Sequence, residues 1–393
     1  MKSFRKIAAV VLAAIMLLSF AGCSKTAPQV PATLNHEWSY RTDSQEYPIG
    51  VYVCYLYAAY QEAYSALYDA GSIESTTTSI LDISATFDET DEKYLTRDWV
   101  KKQADYMMDR LIAIDKMVAD NSIEIDQALI DEYYEQARTE WYTSQYYAEY
   151  DYSTTPTKDI LEPFGISLDS YFTATSLMNI KQTAIFDYLY NKGGIEEVPQ
   201  SEIEAYFEDS YTSYSYFNVA LYESTFDEAE GEEKSFALSD AEILDITEDL
   251  ELYQKMIDNG TSYDDILGIA NGEMEFLSNS SYTERIDVSS TLGEKVVEAL
   301  DELQEGKADI VSVGEGDTAI VYFIYKKPIA DETAEYVANE NNYNSLLDEL
   351  RSEDFLDYLD GLVEGVEREI NTDAIAKYDL SMFETQADTL VTA

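Results

Sequence analysis

Apolar spacing changes character at Pro199-Gln200 and again after Pro328, and this limits the available folds more than any other feature. Before the first break, apolar residues recur every three or four positions, the period of a helix buried on one side. Tyr52, Leu56, Ala59, Ala63 and Leu67 predict a buried helix within 46–72, after a short extended start. A Ser/Thr-rich connection, 72–91, follows. Val100, Ala104, Met107, Leu111, Ile114 and Val118 predict a second helix ending at Asp120-Asn121. A third opens at Asp126 and carries Leu129, Tyr133, Ala137 and Trp141. Residues 142–158 are tyrosine-rich and irregular. Ser167 then caps a long helix through Phe172, Leu177, Ile180, Ala184, Tyr188 and Leu189.

Between the breaks the pattern is mixed. Ser201-Glu202-Ile203-Glu204 and Ser239-Asp240-Ala241-Glu242 read as capping boxes, in which the serine and the glutamate each satisfy a free amide. Residues 215–222 predict a strand, 227–234 an acidic loop, and Asn259-Gly260 a helix stop. Residues 310–313 and 318–325, around Gly314-Glu315-Gly316-Asp317, predict a hairpin. After Pro328 a helix is expected over 333–369, with Leu346, Leu350, Leu359, Leu362, Val366 and Ile370 facing inward. A lone helix needs an apolar partner for its stripe, and the first helical block is the obvious one. The expected fold is therefore α+β and mostly helical: a helical domain completed by a C-terminal helix, with a small α+β domain inserted.

The N-terminus carries an address. Lys2, Arg5 and Lys6 precede the apolar run Ile7 to Phe20, the order of a secretory signal peptide. The run is shorter than the ~20 residues of a comfortable membrane span. Phe20-Ala21-Gly22-Cys23 resembles the bacterial lipobox, with Phe20 where leucine is usual. That resemblance implies cleavage before Cys23 and a diacylglyceryl group on its thiol, holding the chain on the outer face of a bacterial membrane. The expected divisions are a signal peptide at 1–22, a lipidated tether at 23–45, a helical domain at 46–200, the insert at 201–330, the helix at 331–371 and a tail at 372–393.

Composition removes several function classes. The 393-residue chain has 78 acidic and 25 basic residues, a formal charge of −53. Such a surface repels phosphate backbones, which excludes nucleic acid as a natural partner. Its 46% hydrophobic content, much of it from 34 tyrosines, is that of a folded chain. With Cys23 lipidated, Cys54 has no partner for a disulfide. The single histidine, His36, lies in the tether, so histidine-based catalysis and histidine-ligated metals are unavailable in the folded domains. No metal or cofactor is implied. The acidic stretches 88–93 and 227–233 carry enough charge to attract calcium weakly but lack the order of a calcium loop, and pairs such as Glu132-Glu135 and Asp264-Asp265 read as solvated faces.

This organisation resembles the SurA/PrsA-type extracytoplasmic foldases. Residues 99–135, with Asp115-Lys116-Met117-Val118 and Ile123-Glu124-Ile125-Asp126, and the segment Gly165 to Phe172 are similar in rhythm to that family's helical chaperone domain. Val198-Pro199-Gln200-Ser201-Glu202-Ile203-Glu204-Ala205-Tyr206-Phe207 resembles the family's entry to a parvulin-type prolyl isomerase domain. Residues 215–222, 256–266 and 295–325 resemble that domain's first strand, its helix with glycine turn, and its closing helix and strands. Asn271-Gly272-Glu273-Met274-Glu275-Phe276 resembles its glycine-rich turn with one glycine missing. The family's two histidines fall near Asn218 and Phe323, and neither position is histidine.

The resemblance implies a membrane-anchored chaperone for unfolded exported polypeptides, with an isomerase-like domain that lacks full activity. Tyrosine suits such a surface, since it offers contact area at low rotamer cost. The peptide-contact candidates are Trp141, Tyr142, Tyr146, Tyr147 and Tyr150, although core packing is the plainer expectation for any one tyrosine. Tyr216, Asn218, Met274, Phe276 and Phe323 are the candidate residues of a degenerate isomerase pocket. The alternatives are an active isomerase with an altered centre and a solute-binding lipoprotein. The second needs repeated βαβ units with glycine-rich turns, and few strands are apparent.

Overall fold

The computed structural model describes residues 37–75, 79–87, 92–144, 146–147, 152–153, 155–227, 232–290 and 292–384. The signal segment, Cys23, His36, the acidic residues 88–91 and Tyr150 lie outside them. The protein is a mixed α+β chain, mostly helical. It divides into two compact units: one comprises residues up to Glu197 together with Arg351 onward, the other Val198–Leu350.

The first unit is built around the helix Ile49–Asp69. Every residue from Ile49 to Tyr60 is buried, as expected of a helix apolar on all sides. Thr96–Asp120 packs along it through Trp99, Val100, Ala104, Met107, Met108 and Leu111. The helix opened by Ser167 runs from Leu168 to Tyr190 through a wide π turn at Thr173–Leu177. In Gln127–Tyr142 only Ala137 and Trp141 are buried, while Leu129 and Tyr133 face solvent. The predicted stripe therefore covers only the second half of that helix.

Part of the expected tether is folded. Trp38–Arg41 forms a strand between Glu46–Pro48 and Glu369–Ile370, antiparallel to both. Asn371 secures this arrangement by donating its amide to Ser39 O at 2.8 Å and its side chain to Trp38 O at 3.0 Å. Beyond it, Phe383 reaches the core and packs on Tyr57, Tyr60 and Phe164. A second hairpin, Ser84–Thr86 with Lys93–Leu95, lies where a plain connection was expected.

The long helix expected over 333–369 is interrupted. Ala330–Ala338 ends at Asn339, and Glu340–Val363 begins anew. Asn339 Oδ1 accepts from the amides of Asn341 and Asn342 at 3.0 and 3.2 Å, the local competition by which asparagine favours caps over helix interiors. The expected inward face also ends early, since Ile370 is exposed in the edge strand. Glu340–Val363 contributes residues to both units.

The second unit holds an antiparallel sheet in the order Ser278–Glu284, Thr212–Ala220, Ile320–Lys326, Lys307–Val313. Ser213 through Val219 are all buried, because helices lie on both faces. Asp240–Asp258 and Tyr263–Glu273 cover one face around Phe217, Val219 and Phe323. Glu294–Glu302 covers part of the other, over Tyr214, Tyr216 and Ile324. The Ser239 capping box forms as predicted, and Gly260 stops its helix at a φ of +91°. The Ser201 box does not form. That helix starts at Gln200 behind Pro199, and Glu204 accepts from the Gln200 side chain instead.

Candidate functional site

Side chains on a strand alternate between its two faces, and this sorts the candidate residues of the second unit. Tyr214, Tyr216 and Asn218 share one face of the central strand. The register sets Tyr282 beside Tyr214, Ser280 beside Tyr216, and Tyr322 beside Asn218. Tyr216 lies at ring-centroid distances of 5.7 Å from Tyr322 and 6.4 Å from Tyr282, and Tyr214 lies 5.7 Å from Tyr282. These are contact spacings for aromatic pairs. The face is partly open, with 39% of Tyr282 exposed.

Asn218 is buried and committed. Its Oδ1 accepts from the Ser278 amide at 2.8 Å and from the Ser278 hydroxyl at 3.0 Å. Tyr214 donates to Glu284 at 2.7 Å, and burial with that hydrogen bond raises its hydroxyl pKa well above the usual phenol value. The face thus offers aromatic area and hydroxyls, with no imidazole to move a proton at neutral pH.

Met274, Phe276 and Phe323, which the sequence grouped with Tyr216 and Asn218, pack on the opposite face. Phe217 stacks on Phe276 at 4.5 Å and on Phe323 at 5.0 Å, with Met274 at the margin of the same core. Tyr322 and its neighbour Phe323 face opposite sides of the sheet, because one residue changes the face. The glycine-rich turn expected at Asn271-Gly272 is absent, because the helix Tyr263–Glu273 runs through both residues. Sequence reasoning missed Tyr214, Tyr282 and Tyr322. Two-residue steps from Asn218 and Phe323's neighbour would have found the first and last. The strand bearing Tyr282, Ser278–Glu284, is polar and carries little strand signal.

In the first unit the aromatic candidates separate too. Trp141 is fully buried against Tyr171 at 5.6 Å, so it is a core residue, placed there by the inward second half of its helix. Tyr142 is exposed, with Lys158 Nζ 5.4 Å from its ring centre. Tyr146 and Tyr147 pair with Ser153 and Tyr152 in a short hairpin. Leu129, Tyr133 and Tyr142 make the exposed apolar positions of this helix.

Among the described residues no group of three or more His, Cys, Asp or Glu side chains is arranged to hold a metal ion, and no helix is long and apolar enough to cross a membrane. Cys54 is buried, which pushes its thiol up to about 12 and leaves it inert.

No family model matches the chain, and no curated protein matches it. Among solved structures, it is similar to foldase protein PrsA from Streptococcus pneumoniae, with a TM-score of 0.31 and 11% identity over 75% of this chain and 98% of that one. Foldase protein PrsA from Lactococcus lactis gives 0.28 and 11% over 88% and 99%. PrsA from Bacillus subtilis gives 0.22 and 13% over 76% and 94%. Scores this low leave the functional reading to the residues themselves.

Proposed function

We propose that the protein is a foldase-type chaperone, anchored by a lipid on Cys23 outside a bacterial cell membrane, that holds unfolded exported polypeptides. The observation that carries this reading is the partly open tyrosine face, where Tyr282 and Tyr322 flank buried Tyr216 and offer rings and hydroxyls but no catalytic imidazole. Rings in loose contact accept many apolar side chains, and hydroxyls satisfy backbone groups without demanding a sequence. Exposed Leu129 and Tyr133, one helical turn apart, add a second adhesive patch. The charge of −53 keeps the loaded protein soluble.

Full prolyl isomerase chemistry is not part of the proposal. The position nearest a family histidine is Asn218, and its carbonyl oxygen is already engaged by Ser278. A solute-binding role is likewise set aside, because the four-stranded sheet is antiparallel throughout, whereas βαβ repeats make parallel sheets.

The test is suppression of aggregation of a chemically unfolded client by the soluble chain from Ser24 onward. Suppression at near-stoichiometric ratio is expected, with proline-peptide isomerisation at background. No suppression by a chain whose circular dichroism shows it folded would end the chaperone reading. Labelled-lipid incorporation in cells, lost in Cys23→Ala, tests the anchor.

A further inference from the structure

The central strand of the sheet does not stop at Ala220. Leu221 donates to Ala319 O at 2.8 Å and accepts from the Leu238 amide at 2.9 Å. From this root grows a ribbon of two strands, Tyr222–Asp227 and Glu232–Ala237, which joins no other strand among the described residues. The root lies at the end of the sheet where Asn218 pairs with Tyr322, beside the tyrosine face.

The ribbon exposes large apolar rings to water. Phe226 and Phe236 are 66% and 57% exposed. The register sets Phe226 opposite Glu233 and Phe236 opposite Glu223, so the two rings belong to opposite faces. The turn Gly316–Thr318 lies against both strands, and their edges, which no other described strand pairs with, invite pairing with another chain.

Charge decides which chain. A second copy brings another −53 and a second acidic ribbon, and nucleic acid and anionic headgroups are repelled in the same way. An extended polypeptide rich in lysine or arginine is complementary: its cations pair with exposed Glu223 and Glu232, its apolar residues cover the rings, and its backbone finds the ribbon's edges. Resting on the reading of the tyrosine face as a polypeptide-holding surface, we infer that the ribbon is a docking arm that selects cationic segments of unfolded chains and delivers the adjoining residues to that face.

The test uses three labelled extended peptides that share one apolar pattern and differ only in their polar positions, which are all Lys, all Gln or all Glu. Binding to the soluble chain from Ser24 onward is read by fluorescence anisotropy. The Lys peptide should bind at least about tenfold tighter than the Gln peptide at low salt, and the gap should narrow as ionic strength rises. E223K/E232K should abolish most of that gap, while the control E124K/E132K, equal in charge change but in the first unit, should leave it. F226S/F236S should weaken the Lys and Gln peptides alike. Equal affinity for the Lys and Gln peptides overturns the inference alone. A gap that both reversal variants reduce equally also overturns it, since the effect is then the field of the whole molecule. Failure of all three peptides to bind overturns this inference and the chaperone reading together.

Discussion

In the first unit, Tyr40 and Tyr47 are wholly buried and each hydroxyl donates to a carboxylate, Asp105 at 2.6 Å and Asp115 at 2.8 Å. Asp115 is paired in turn with Lys181. In the second unit, Tyr216, Tyr282 and Tyr322 lie ring beside ring on a sheet face that is partly open. The same residue thus serves two purposes. Inside the helical unit the ring fills volume and its hydroxyl must find an acceptor, because an unpaired buried polar group is costly. On the sheet Tyr216 is buried as well, and it is the rings of Tyr282, 39% exposed, and half-buried Tyr322 that remain open to a visitor. The carboxylates that make the chain so acidic serve the first purpose as acceptors, so part of the charge is structural.

The contrast is open to attack, beginning with the largest effect. Phe383→Ala should cost the first unit about 3–5 kcal/mol, the usual toll of a buried Phe truncation. Hydrogen exchange should show protection falling across Ile49–Asp69 while Thr212–Ala220 keeps its own; equal loss in both would mean that the units do not hold separate cores. Glu62 comes next. It is buried with Oε2 unpartnered, and burial pushes its carboxyl up to about 8 from 4.5. Between these values the folded chain holds a proton that the unfolded chain has released. Its contribution is therefore intact below about 4.5, declines as pH rises toward about 8, and is flat above. Glu62→Gln should be more stable than the parent at pH 8 by on the order of 3 kcal/mol, with the difference vanishing near pH 4. A pH-independent difference in denaturant midpoint would refute this.

Asp115→Ala leaves Lys181 charged and largely buried without its partner, and should cost about 3 kcal/mol. Tyr47→Phe removes one hydrogen bond to the same carboxylate while the ion pair persists, and should cost only about 1 kcal/mol. If the two were equal in urea titrations, the hydroxyl rather than the ion pair would be holding the site. Smallest in stability is Tyr282→Ala, at under about 1 kcal/mol for a half-exposed ring. Its affinity for an apolar extended peptide should nonetheless fall severalfold by anisotropy. An unchanged affinity would make the sheet tyrosines mere covering, like those of the helical unit.

Much of the helical unit was legible residue by residue. The stripe from Val100 to Ile114, the Ser167 cap and the stop at Asn121 all needed only local spacing. The Ser239 capping box was read correctly and the Ser201 box was not, though the two motifs are alike; Pro199 starts its helix two residues earlier and takes the serine out of the capping position. The break at Asn339 was missed because an apolar period continued on either side of it. Of the five pocket candidates, Tyr216 and Asn218 share one face of the sheet, while Met274, Phe276 and Phe323 lie on the other. Phe323 was chosen one residue from Tyr322, and Trp141 was chosen for its neighbours in sequence when its own helix turns it inward.

Taken alone, the sequence determined the acidic balance, the place of the single histidine at position 36, and the positions of most of the long helices. These are properties of composition or of residues within one or two helical turns of each other. Tertiary structure alone decided that Glu369–Ile370 pairs with Trp38–Arg41 across more than three hundred residues, that a polar segment becomes the strand bearing Tyr282, and which tyrosines share a face. Strand pairing brings together residues that no local pattern connects, and its two-residue period turns a shift of a single position into the opposite side of the sheet.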